Sequence, residues 1–175
     1  TWLRRQRQMC IRDRFIIAVN NAFRRLPSAD MCFFADARWW RHNRDDLLAF
    51  KGQLVTSCMD KRAIDHERVV RLARDYKAPI SRESTHLAGR DSGTMAVNLA
   101  YLMGASEIIL FGFDMTFTEG RSHFHDEHIW PASQARYEEQ FAPRLAAMVE
   151  EIKRDGRDIW RATEPGIPNL EHRTL

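Results

Sequence analysis

The sequence lacks any apolar run long enough to cross a membrane, and its 175 residues include only three cysteines. The missing run argues against a membrane-spanning helix. The cysteines, Cys10, Cys32 and Cys58, are odd in number and form no CxxC pair, which argues against a disulfide framework and a structural zinc site. We therefore expect a cytoplasmic protein, with Cys32 and Cys58 as small buried side chains in strands.

The chain also lacks a real excess of basic residues, although its formal net charge is +3. The first fourteen residues hold five arginines and one aspartate, and the remainder has 22 basic against 23 acidic residues. Bulk charge thus predicts no nucleic-acid partner. Composition leaves the oligomeric state open.

Residues 1–14 show neither helical nor strand periodicity and have no apolar segment of the kind found in a signal peptide. Residues 8–14, QMCIRDR, are what the bases CAG ATG TGT ATA AGA GAC AG and a following purine encode. Those bases match a transposon end used in preparing sequencing libraries. Our hypothesis is that residues 1–14 are a non-native scar in an environmental sequence.

Strands and helices alternate along the rest of the chain. Apolar runs predict strands over residues 15–20, 31–35, 53–58, 68–72, 108–111 and 158–161. Helical spacing predicts helices over 22–26, 37–50, 92–103 and 131–155, and residues 75–90 read as a loop. This order predicts an α/β fold with a Rossmann-like, mostly parallel sheet flanked by helices, in one domain of residues 15–175.

Ligands of parallel sheets bind beyond the carboxyl ends of the strands. That rule selects six candidate binding residues: Asn20, Asn21, Asp36, Ser92, Gly93 and Asp114. Ser92 and Gly93 open a helix whose N–H groups suit a phosphate or carboxylate. The alternatives are structural: a capped helix whose glycine packs on the sheet, and aspartates that cap the following turns.

A histidine cluster, SHFHDEH, follows the fifth predicted strand. His123 or His128 is a candidate general acid or base. A metal site is the other hypothesis, because His123, His125 and His128 approach the HxHxDH ligand pattern of the metallo-β-lactamase fold. The aspartate stands one place too early for that pattern, and we expect no metal. A solvated polar loop is the third possibility.

The segment GRDSGTMAVNLAYLMGASEIILFGFDM with the following SHF…H resembles a group of Rossmann-like transferases. The group includes hydroxymethylpterin diphosphokinase-like proteins, related phage proteins and bacterial sialyltransferases. The resemblance covers most of residues 15–175. It implies that Asn20, Ser92 and Gly93 contact a nucleotide, that Asp114 ends the matching strand, and that His123 or His128 supplies the catalytic base.

The implied activity is transfer from a nucleotide-activated donor, first of all glycosyl transfer from a nucleotide sugar to a hydroxyl of a small molecule or glycan. That version requires no cofactor. Diphosphate transfer from ATP, with Mg²⁺ on the phosphates, is one alternative. A non-catalytic, phage-associated nucleotide-binding protein is the other.

The family resembled begins with a strand and a Gly-x-Gly-Pro-Ser loop, and residues 1–14 do not contain that pattern. We therefore expect that the first strand of the sheet is missing and that the chain is an N-terminally incomplete fragment. Such a fragment is expected to bind its donor weakly or to be inactive.

Overall fold

A computed structural model describes residues 14–115 and 133–175 of the chain. The chain forms two compact units. The first unit contains the residues up to Arg74 together with Leu175, and the second runs from Asp75 to Thr174.

The first unit contains a four-stranded parallel sheet with the strand order β1-β2-β3-β4. The strands are β1 (Ile17–Val19), β2 (Met31–Phe34), β3 (Gln53–Thr56) and β4 (Val69–Arg71). A short helix α1 (Ala22–Arg25) joins β1 to β2, and helix α2 (Ala37–Ala49) joins β2 to β3. In the register, Cys32 pairs with Ala18 on one side and Leu54 on the other.

The core of the first unit forms where α2 covers the central strands. All four residues of β2 are buried, as an inner parallel strand requires. The ring of Trp40 stacks on that of Phe34, with centroids 5.4 Å apart and planes 11° apart. Cys32 and Cys58 are both buried, as predicted, although Cys58 lies beyond the end of β3 and not in a strand. Burial raises the pKa of the Cys32 thiol to about 12. Cys32 is therefore a packing residue rather than a nucleophile.

The second unit is built from helices that each precede a strand. Strand β5 (Ala73–Asp75) spans its boundary, and β6 (His86–Ala88), α3 (Ser92–Leu102) and β7 (Glu107–Leu110) follow. A continuous helical stretch then comprises α4 (Gln134–Arg136), a π-helical turn (Tyr137–Phe141) and α5 (Ala142–Arg154), and leads into β8 (Asp158–Arg161). β7 and β8 pair in parallel, with Ile108 opposite Ile159.

Asn98 is a fully buried polar side chain in the core of the second unit, among apolar residues of α3, α5 and β7. Its Oδ1 accepts hydrogen bonds from the backbone N–H of Ser81 (3.0 Å) and of Ala88 (2.7 Å). Its Nδ2 donates to the carbonyl of Ser81 (3.0 Å). Asn98 thus joins α3 to the residues that lead into its own N-terminus.

The architecture is mixed α/β with mostly parallel strands, as the alternation of patterns predicted. Three further details were wrong. The predicted loop over residues 75–90 contains β6, whose three residues are too few to show a period. Met103, the last residue of the helix predicted over 92–103, is exposed because α3 ends before it, and Phe111, the last residue of the strand predicted over 108–111, lies beyond β7 and is also exposed.

Within residues 14–115 and 133–175, no helix is long and apolar enough to cross a membrane.

Candidate functional site

The carboxyl end of β7 meets the N-terminus of α3 in the second unit. Gly112, Phe113 and Asp114 follow β7, and a Cβ built on Gly93 would lie only 3.0 Å from Cε1 of Phe113. The ring of Phe113 therefore fills the space that a side chain at position 93 would need. Gly93 allows the chain leaving β7 to pack closely on α3, which is the structural role considered for it above.

Asp91 caps α3. Its Oδ1 accepts the backbone N–H of Thr94 (2.9 Å), and its Oδ2 accepts the hydroxyl of Thr94 (2.6 Å). The N–H of Gly93 is also directed at this carboxyl group. Desolvation raises the pKa of Asp91 above its ordinary value, against the opposing effect of these hydrogen bonds. Asp91 thus accepts hydrogen bonds from N–H groups that were predicted to hold a ligand.

The side chains of Ser92 and Asp114 have no hydrogen-bond partner within the described part of the chain. Ser92 is half-buried at the first position of α3, and its hydroxyl makes no hydrogen bond within the described part of the chain. The carboxyl group of Asp114 likewise has no hydrogen-bond partner among residues 14–115 and 133–175. Partial burial raises the pKa of Asp114.

The backbone on both sides of Asp114 is unusual. Gly112 has φ +69° and Met115 has φ +51°, both in the left-handed region. A non-glycine residue in this region is uncommon and tends to occur at functional sites.

Tyr137 is the residue of this region that the sequence analysis missed. It begins the π-helical turn, a local form that is frequent at functional sites. Desolvation first, and then the charges of Asp91 and Asp114, raise the pKa of Tyr137 to about 12. Both carboxyl groups therefore lie within electrostatic range of its hydroxyl. The signal was available in principle, since a helix that precedes a parallel strand begins at the strand's carboxyl end.

The three other candidates lie in the first unit, at the carboxyl ends of β1 and β2. Asn20 follows β1 with φ +50°, and its side-chain amide makes no hydrogen bond to any residue the structure describes. Asparagine tolerates this conformation better than most residues. Its own backbone N–H continues the ladder to the carbonyl of Phe33 (3.0 Å).

Asn21 and Asp36 have structural partners. Oδ1 of Asn21 accepts the indole N–H of Trp39 (2.6 Å). Asp36 caps α2 by accepting the N–H of Arg38 (2.7 Å) and of Trp39 (3.3 Å). These hydrogen bonds, with the nearby Arg38 charge, hold the pKa of Asp36 below its ordinary value although desolvation acts in the opposite direction. Asp36 therefore caps a helix, which is the structural one of the two roles considered for it above.

The structure thus brings Ser92, Gly93 and Asp114 together at one end of the second unit, and places Asn20, Asn21 and Asp36 at the carboxyl edge of the sheet in the first. The catalytic candidates His123 and His128, and His125 with them, lie outside the described residues, so their roles stay predictions. Within the described ranges no group of three His, Cys, Asp or Glu side chains is arranged to hold a metal ion.

Comparison with known proteins finds no match: no protein-family profile, no curated protein and no solved structure is similar to this chain.

Proposed function

We propose that this chain is a Rossmann-like transferase domain that uses a nucleotide-activated donor, most simply a nucleotide sugar. One observation carries the proposal. The carboxyl end of β7 and the first turns of two helices converge on Ser92, Asp114 and Tyr137, all within the second unit. Such an edge is where α/β proteins bind nucleotides.

Each of these side chains suits one part of a donor. The Ser92 hydroxyl and the protonated Tyr137 hydroxyl are hydrogen-bond donors for phosphate oxygens. The Asp114 carboxyl can accept a hydroxyl of the ribose. Tyr137 is neutral at physiological pH because the pKa of a tyrosine hydroxyl is ordinarily about 10 and is here raised further, to about 12, so it adds no negative charge beside a phosphate.

Glycosyl transfer at this site would form a bond between the acceptor oxygen and the anomeric carbon of the sugar. The bond from that carbon to the phosphate oxygen of the donor breaks, and the nucleotide leaves with the electron pair. The proton of the acceptor hydroxyl passes to a base, for which His123 and His128 are the candidates from the resemblance.

The test is calorimetry of the chain against CMP, CDP, UDP and ATP, each with and without Mg²⁺. The proposal expects a pyrimidine nucleotide to bind without metal. Binding of ATP alone, and only with Mg²⁺, would replace glycosyl transfer by diphosphate transfer. If none of the four nucleotides binds at millimolar concentration, the proposal is wrong.

Variants then locate the site. Asp114→Asn and Tyr137→Phe are expected to weaken nucleotide binding about three- to tenfold each, the loss of about one hydrogen bond. Asp45→Asn is the matched control, since Asp45 is an exposed carboxylate on α2. His123→Ala and His128→Ala should preserve binding, and one of them should abolish transfer.

A further inference from the structure

Helix α5 is followed directly by the only Asp-Gly pair in the sequence, Asp155-Gly156. Gly156 has φ +74°, the left-handed conformation in which many helices end and which glycine adopts without strain. A Cβ placed on Gly156 would meet no atom within 4 Å, so conformation rather than space calls for glycine here. Both residues are exposed. The end of the helix thus places a glycine directly after an aspartate that water can reach.

An aspartate followed by glycine is open to isomerisation, because glycine has no side chain to hinder attack on the neighbouring carboxyl group. The lone pair of the Gly156 nitrogen attacks Cγ of the protonated Asp155 carboxyl group, a C–N bond forms, and the carboxyl O–H leaves as water with the amide proton. The succinimide ring then takes up one water molecule. Opening at Cγ restores aspartate, and opening at the backbone carbonyl leaves isoaspartate, whose main chain runs through Cβ and Cγ. Water is the only other reactant.

Two side chains hold the carboxylate of Asp155 in the structure. The hydroxyl of Tyr101 donates to Oδ2 (2.6 Å), and a terminal nitrogen of Arg82 donates to Oδ2 (2.9 Å) and to Oδ1 (3.2 Å). The hydrogen bond from Tyr101, together with that from Arg82, holds the pKa of Asp155 below its ordinary value, although desolvation acts in the opposite direction. These contacts keep the group ionised, and a carboxylate is a poor target for a nucleophile.

The backbone of the pair is also held away from ring closure. The N–H of Gly156 donates to the carbonyl of Lys153 (2.9 Å), and the N–H of Asp155 donates to that of Glu151 (3.1 Å). Ring closure needs the Gly156 nitrogen to eclipse Cβ of Asp155, whereas at the observed ψ of 9° it nearly eclipses the backbone nitrogen of Asp155. Attack therefore requires the last turn of α5 to open and the carboxyl group to leave its partners.

We propose that Asp155-Gly156 is a site of aspartate isomerisation whose rate is controlled by Tyr101 and Arg82. The folded chain resists conversion to isoaspartate, and local opening at the end of α5 allows it. The product would lengthen the main chain by a carbon atom shortly before β8, which begins at Asp158. This site lies at one helix end and does not depend on the proposed nucleotide site.

The test compares the whole chain with a synthetic peptide of residues 151–159, EIKRDGRDI, in heavy-oxygen water near neutral pH. Each passage through the succinimide incorporates a heavy oxygen atom, which peptide mass spectrometry detects at Asp155, and chromatography separates isoaspartate from aspartate. The folded chain should react at least about tenfold more slowly than the peptide, which lacks the contacts of the fold. In urea the chain should react as fast as the peptide.

Variants of the two partners test their control of the rate. Tyr101→Phe and Arg82→Gln should each accelerate isomerisation of the folded chain about three- to tenfold, because loss of a hydrogen bond raises the protonated fraction of Asp155 and frees its side chain. Phenylalanine keeps the ring over which the guanidinium group of Arg157 lies, 4.1 Å from the centroid, so Tyr101→Phe removes only the hydroxyl.

Arg173→Gln is the matched control. Arg82 pairs with the carboxylates of Glu151 and Asp155, and Arg173 likewise pairs with two carboxylates, those of Asp158 and Glu171. In the described part of the chain Arg173 forms no ion pair with Asp155. Arg173→Gln should therefore leave the rate within about twofold of that of the unchanged chain.

Hydrogen exchange at the Gly156 amide gives a second measurement. It should become faster in Tyr101→Phe and in Arg82→Gln, and should stay unchanged in Arg173→Gln. Arg82 is exposed, so Arg82→Gln tests the control of the rate even if Tyr101→Phe fails to fold. Equal rates in the folded chain and the peptide, no acceleration in Arg82→Gln, or an equal acceleration in Arg173→Gln would overturn the proposal.

Discussion

Replacement of Asn98 by leucine tests how the approach to α3 is held in place. Asn98 is fully buried and makes three hydrogen bonds, to the N–H and carbonyl of Ser81 and to the N–H of Ala88. Leucine has the same number of side-chain heavy atoms in the same branched arrangement, so Asn98→Leu removes the polar contacts and leaves no cavity. The three backbone groups then remain buried without a partner.

The size of the effect follows from those three groups. Each lost hydrogen bond that leaves a buried partner unsatisfied costs about 1 to 3 kcal/mol. Leucine recovers part of this by burying apolar surface, about 1 to 2 kcal/mol. We therefore expect Asn98→Leu to lower the free energy of unfolding by about 1 to 8 kcal/mol, with the middle of that range at about 4 kcal/mol, a large share of the total stability of an ordinary domain.

Urea unfolding measures the total change, and amide hydrogen exchange at Ser81 and Ala88 measures the local one. The two amides should exchange much faster in Asn98→Leu. Asn43→Leu is the matched control: Asn43 is also buried on a helix, but it donates only to the carbonyl of Trp39 (2.8 Å), and its Oδ1 has no partner in the described structure. That variant should cost about 1 kcal/mol or less. Equal costs for the two variants, or unchanged exchange at Ser81 and Ala88, would refute the reasoning.

Three further predictions concern the candidate residues. Asn20→Gly should keep the stability within about 0.5 kcal/mol because glycine accepts φ +50°, whereas Asn20→Val should cost about 1 to 2 kcal/mol in thermal unfolding. Asp36→Ala should cost about 0.5 to 2 kcal/mol, the usual loss of an N-cap, in the same assay. Asp114→Asn should be more stable than the unchanged chain at neutral pH. A carboxyl group whose pKa is raised in the native state stabilises the fold while it is protonated. That contribution is complete below the pKa of the unfolded chain and is lost as pH rises through the native pKa, so the stability difference between the two chains should vanish in acid. A constant difference at every pH would contradict this.

Local patterns were sufficient for most of the elements. Residues 158–161 form a strand with the predicted bounds, and the helix predicted over 37–50 runs from Ala37 to Ala49, where an aspartate cap and an apolar stripe mark it. β6 could not be predicted because three residues carry no period. The buried Asn98 could not be predicted either, because its partners, Ser81 and Ala88, are seventeen and ten residues away in sequence.

Of the candidate site, only the residues that directly follow strands could be predicted from the sequence. The carboxyl-end rule led to Asn20 and Asp114, since it needs only the order of strands. The rule says nothing about which side chains already have partners, so it did not separate Asp114, which has none among the described residues, from Asp36, which caps a helix. Tyr137 reaches its position through long-range packing, which sequence spacing does not encode.

Asp91 governs whether the N-terminus of α3 can accept a phosphate. Its carboxyl group already receives the N–H groups of Gly93 and Thr94, so a phosphate bound beside them would meet a second negative charge. Desolvation raises the pKa of Asp91 in the free chain, and an adjacent phosphate would raise it further. Binding there should therefore take up a proton, and the affinity should fall as pH rises through the pKa of Asp91 in the complex.

Calorimetry of CMP in two buffers of different ionisation enthalpy measures this proton uptake directly. The unchanged chain should show uptake, and Asp91→Asn, which cannot ionise but retains an amide oxygen to cap α3, should show none and should bind with little dependence on pH. If CMP binds with no proton uptake in either chain, its phosphate is not beside Asp91. The backbone at Ser92 and Gly93 then serves only to begin the helix, and the anionic part of the ligand must bind elsewhere.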